Sequence, residues 1–176
     1  GENVFVKELI PHIDSNYRTI AYSSGRGIQG FSQGGRGATR VAFKNPELFS
    51  SVAAGGGAYQ VEKQIAENNG IEYDTRRINP EQLDFGIGSD AYSLAQSYAT
   101  LNDNKLKIVF WGGTEGFNYN GILEYMEYID SLNIDYQSYF VGGSGHNSWL
   151  LYQSIGTNLM NFHANVFESP ANDREL

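Results

Sequence analysis

The chain has 176 residues, enough for one domain with a buried core, and its 40% apolar content, with 12 Tyr and 10 Phe, is that of a folded globular protein. A formal net charge of −8 without any cluster of Lys or Arg argues against nucleic acid and anionic membrane as partners, and no run of about 18 apolar residues offers a membrane span. The absence of cysteine excludes disulfides, thiol catalysis and Cys-based zinc sites.

In chain order, residues 4–13 (VFVKELIPHI) read as a short helix. GIQGF at 27–31 reads as a glycine-bounded strand, and GRGATRVAFKNP at 35–46 as a helix stopped by Pro46. FSSVAAGG at 49–56 is a second strand. Residues 57–106 are mixed, with a helix predicted over 90–100 (DAYSLAQSYAT). KLKIVFWGG at 105–113 is the clearest buried strand, an apolar run closed by two glycines. A helix over 119–132, a strand over 135–143 and a last helix near 147–163 complete the series. Strands alternating with helices predict a mostly parallel sheet with helices on both faces, whose active groups gather at the carboxyl ends of the strands. Three strands end in informative places, before Ser32, before Glu115 and before His146.

The stretch SSGRGIQGFSQGGRG (23–37) carries two overlapping motifs. Gly25, Gly27 and Gly30 match the dinucleotide pattern G-x-G-x-x-G, whereas Gly30-Phe31-Ser32-Gln33-Gly34 matches the nucleophile elbow G-x-S-x-G. The dinucleotide reading would load the first turns of its helix with glycines, each costing roughly 1 kcal/mol against alanine, and finds glycines where the ribose-binding acid belongs. The elbow has its strand before Ser32 and its helix after, and small neighbours at Gly30 and Gly34 suit a sharp strand-to-helix turn. A serine hydroxyl needs a base, and the base an orienting acid, in the order Ser, acid, His. Of the three histidines, His12 precedes Ser32 and is predicted on a helix surface, while His163 falls in the last helix as a packing or surface residue. His146 lies in the glycine-rich loop GGSGHNSW directly after a strand, which suits a base. Glu115 is the only carboxylate in the loop after KIVFWGG and is the expected acid; Asp90 and Asp103 precede that strand.

With these segments in place, ELIPHIDSNYRT, RGIQGFSQGGRGATRVAFKNPELFSSVAAGGGAY, KIVFWGGTEGF and GGSGHNSWLLYQ together resemble the esterase D-like α/β-hydrolases, which include feruloyl and acetylxylan carbohydrate esterases. The resemblance spans roughly residues 4–167. It implies an α/β-hydrolase fold, Ser32 as nucleophile, His146 as base, and the Gln33 amide as one oxyanion-hole donor. Many relatives carry an Asp at the position of Gly116, so either the longer Glu115 reaches His146 or the triad is incomplete. The family histidine is typically followed by Asp-Trp, where this chain has Asn147-Ser148-Trp149. Trp149, Trp111 and Phe117 are candidates to line an aryl or sugar pocket, with packing as the competing role. Relatives also carry several strands before the ELIP helix. This chain is therefore expected to be the C-terminal part of a hydrolase domain, its sheet completed by an N-terminal segment or a second chain. The resemblance implies an ester of a small molecule or carbohydrate as substrate, no metal or cofactor, and, with the acidic composition, export from the cell. A binding role for an inactive relative and acyl transfer to an alcohol remain open beside hydrolysis.

Overall fold

The computed structural model describes residues 1–73, 82–101 and 105–168. The chain opens with a continuous helical segment: α1 (Glu2–Val4), a π-helical stretch Phe5–Leu9, and α2 (Ile10–Asn16). The widened turn ends just before Pro11, whose ring crowds the carbonyl four residues back and which has no N–H to donate. Strand β1 (Gly27–Phe31) leads through Ser32 into α3 (Gln33–Lys44). Strand β2 (Ser51–Gly55), α4 (Tyr59–Glu67), the strands β3 (Ile71–Tyr73) and β4 (Gln82–Asp84), and α5 (Ala91–Ala99) follow. Then come β5 (Lys107–Gly113), α6 (Tyr119–Ser131), β6 (Gln137–Val141) and α7 (Ser148–Phe167).

The main sheet has the order β1-β2-β5-β6, with all three pairings parallel, and β3 pairs antiparallel with β4 as a separate two-stranded ribbon. Parallel strands must be covered on both faces. One face carries the larger core, where Val52, Ala54, Ile108 and Phe110 meet Ala38, Ala42, Leu94, Ile122 and Tyr125 from the helices. On the other face Leu151, Leu159 and Phe162 of α7 close over Ala53, Val109 and Trp111. Together these layers form an α/β-hydrolase-type sheet lying between helices. Among the described residues no helix is long and apolar enough to cross a membrane.

The middle of the sheet is sealed: every residue of β2 is buried. β1 is different. It has one neighbour, β2, among the described strands, and it is only partly covered. Because β1, β5 and β6 run parallel, the turn at Ser32, the loop 114–118 and the loop 142–147 meet at one edge of the sheet.

Candidate active site

Ser32 sits between β1 and α3 with φ 59° and ψ −117°, a region that L-residues rarely occupy. Two backbone bonds hold it there: Ser32 N–H donates to Gly55 O at 2.8 Å, and Arg36 N–H donates to Ser32 O at 3.1 Å. A Cβ at Gly30 would strike the Gly34 carbonyl, and one at Gly35 would strike the Gly55 carbonyl. At Gly34 a Cβ would meet nothing within 4 Å. The steric demand therefore falls on Gly30 and Gly35, not on Gly34 as the symmetric motif suggests. Gly27, part of the competing dinucleotide pattern, opens β1 and leaves room for His163 and Ser51.

The Ser32 hydroxyl lies 2.9 Å from His146 Nε2. The imidazole is wedged between two rings, with centroids 4.6 Å from Phe31 and 4.7 Å from Phe117. Gly56, at φ +55°, makes that room: a Cβ there would lie 2.5 Å from Phe31 Cε2 and 3.1 Å from His146 Cε1. Burial lowers the His146 pKa below the ordinary imidazole value, which favours the free base.

The second imidazole nitrogen corrects the expectation for Glu115. His146 Nδ1 faces Asn118 Oδ1 at 3.1 Å. Glu115 is exposed, its backbone N–H donates to Ser144 O at 2.9 Å, and both imidazole nitrogens are taken by Asn118 and Ser32 rather than by its carboxylate. Asn118 is only 2% exposed, and its Nδ2 donates to Gly57 O at 3.3 Å. A Cβ on Gly116 would lie 2.8 Å from Asn118 Oδ1, so the missing side chain at 116 is what lets Asn118 stand there. Asn118 is neutral, so the requirement for a carboxylate does not point to it; its sequence signal is its place at the start of α6 beside the loop. Asp90 caps α5 by accepting from Ser93 N at 2.8 Å, and Asp103 lies outside the described residues.

The remaining candidates divide. Gln33 is the first residue of α3, so its N–H has no acceptor within the helix and stands at the positive end of the helix dipole. Its side chain accepts from Arg36 Nη1 at 2.8 Å. Arg36 also donates to Glu62 at 2.5 Å and to Glu72 at 2.6 Å, a buried network fixing α3 to α4 and β3. Phe117 is exposed against the imidazole. Trp149 is exposed in the first turn of α7, after Asn147, whose side chain caps that helix by accepting from Leu150 N. Trp111 is not at the surface at all: it is wholly buried under Gly55, 5.4 Å from the Phe31 ring, and it packs the core rather than a pocket. His163, expected to pack or lie at the surface, is buried and bonded to Ser51 Oγ at 2.7 Å. His12 is exposed on α2. Among the described residues no group of three or more His, Asp or Glu is placed to hold a metal ion.

Residues 2–121 match the profile of the Esterase family, a span that contains Ser32 and Asn118 and stops before His146. Esterases from two strains of Mycobacterium tuberculosis, CDC 1551 / Oshkosh and ATCC 25618 / H37Rv, are each 31% identical over 88 residues, or 50% of this chain and 18% of theirs. S-formylglutathione hydrolase from Staphylococcus aureus superposes with TM-score 0.70 at 17% identity, covering 90% of this chain and 59% of that one. A ferulic acid esterase gives TM-score 0.74 at 20% identity, covering 94% of this chain and 61% of its own. The chain thus spans under a fifth of the curated relatives it matches and about three fifths of each of these structures.

Proposed function

The chain belongs to the Esterase family and has the α/β-hydrolase fold, and from that premise we propose that it carries the nucleophile and base of a serine carboxylic-ester hydrolase. The observation that carries the reading is the 2.9 Å separation of Ser32 Oγ and His146 Nε2 at a strained turn. Ser32 Oγ attacks the ester carbonyl while Nε2 takes its proton. The C–O bond to the alcohol then breaks, His146 returns the proton to the leaving oxygen, and an acyl-Ser32 ester remains. Water, deprotonated by the same nitrogen, cleaves that ester and restores the hydroxyl. The Gln33 N–H donates to the oxyanion in both tetrahedral states, and one such donor is typically worth about 3 kcal/mol of barrier.

The substrate class is an acyl or feruloyl ester of a small molecule or carbohydrate. Its support is the exposed Phe117 ring against the imidazole, Trp149 two residues beyond Asn147, and the likeness to a ferulic acid esterase. Further strands, from a preceding segment or a second chain, complete the sheet at the half-covered edge of β1. The test is hydrolysis of a p-nitrophenyl acetate series by the complete natural protein and its Ser32→Ala variant. Turnover lost in the variant is expected; equal turnover in both would refute the reading. Product partition in the presence of competing alcohols separates hydrolysis from acyl transfer.

A further inference from the structure

An imidazole accepts the serine proton at Nε2 only if its own proton sits on Nδ1, so some group must choose the tautomer. Around His146 the described residues offer no charge for that purpose. From β1 and the elbow it meets Phe31 and Ser32, from the end of β2 it meets Gly56, and from the loop after β5 it meets Phe117 and Asn118. Burial lowers its pKa, and Glu115, the loop's carboxylate, is exposed and makes no hydrogen bond to it.

We propose that Asn118 is the positioning residue of this site, a neutral amide that holds His146 in the Nδ1–H tautomer. The inference rests on the Ser32–His146 reading above and deepens it. The amide has two ends, and the structure fixes which faces which. Asn118 Nδ2 donates to Gly57 O, so Oδ1 is turned to the imidazole and must accept from it. A carboxylate at 118 could satisfy only half of this arrangement, because its second oxygen would face the Gly57 carbonyl without a donor between them. Burial of Asn118 and its place at the start of α6, where its own carbonyl accepts from Ile122 N at 3.0 Å, hold the amide still. Among the described residues the tautomer is set by hydrogen bonding, with no partner charge in contact with the imidazolium that forms during the reaction. The free base therefore persists to lower pH than in a site with a carboxylate in contact.

Histidine-selective 15N NMR of the complete natural protein tests this directly, with the His146 resonance assigned by its loss in His146→Gln. The wild-type protein is expected to show neutral His146 as the Nδ1–H tautomer. Asn118→Asp should keep that tautomer and move the imidazole titration, with the acid limb of kcat/KM for p-nitrophenyl acetate, upward by about 1 to 3 pH units. Asn118→Ala should abolish the tautomer preference and lower kcat about 10²-fold or more with KM little changed. A wild-type Nε2–H tautomer overturns the proposal, as does an Asn118→Asp titration that stays where it was. Should the protein hydrolyse no ester, the tautomer and titration still decide the role of Asn118, whereas turnover unaffected by Ser32→Ala would sink only the esterase reading.

Discussion

Replacing Gly56 by alanine should damage both stability and activity, because one added methyl meets three constraints at once. The backbone at 56 has φ +55°, where a non-glycine residue costs roughly 1–2 kcal/mol. The new Cβ would stand 2.5 Å from Phe31 Cε2 and 3.1 Å from His146 Cε1. Restoring ordinary contact requires the Phe31 ring to retreat by about 1 Å, and forced repacking of that kind costs about 1–3 kcal/mol. The sum, about 2–5 kcal/mol, corresponds to a loss of roughly 4–20 °C in Tm for a chain of this size. The imidazole is pushed by the methyl and by the displaced ring, and a misplacement near 1 Å costs about 10²-fold in rate. The comparison is Gly34→Ala, at a glycine of the elbow motif whose Cβ would enter open space on a helix. Alanine there should leave Tm unchanged or raise it by a few degrees. The assays are thermal unfolding and p-nitrophenyl acetate turnover on both variants. A Gly56→Ala protein matching wild type in both would refute the packing argument, and so would Gly34→Ala proving the more damaging.

Glu115→Gln should leave turnover within about twofold, since an exposed side chain without a bonded partner is usually worth less than about 0.5 kcal/mol; a loss above tenfold would restore it as the orienting acid. Glu62→Gln should destabilise the fold by about 3 kcal/mol, because Glu62 is fully buried and bonded to Arg36 and to Ala91 N. Denaturant unfolding at equal slope would measure that cost, and a midpoint at the wild-type position would show the network to be dispensable.

The sheet was legible because its strands announce themselves locally. The apolar run of β5 and the glycine-bounded β1 need no knowledge of their neighbours, and the elbow follows from the junction between strand and helix. Helix α4 is not legible in the sequence, for the opposite reason. Its buried stripe is Tyr59, Glu62 and Ile65, and a glutamate in that stripe reads as a solvent-facing position. Glu62 can be buried because Arg36, 26 positions earlier, and the Ala91 N–H meet its carboxylate. Trp111 shows a similar dependence: its place at the end of a strand near the site suggested a pocket wall, yet Gly55 on the next strand opens the space that takes it inside. Asn118 carries no charge that would mark it in the sequence, and its proposed role depends on Gly57, whose carbonyl fixes the amide, and on Gly116, whose missing side chain admits it.

The proposed hydrolysis requires the Ser32 hydroxyl to be a nucleophile because His146 draws off its proton. Peptide mass spectrometry after treatment with a fluorophosphonate tests it most directly. A single adduct on Ser32 is expected, and it should disappear in His146→Gln. An adduct on another residue, or equal labelling of Ser32 without the imidazole, would contradict it.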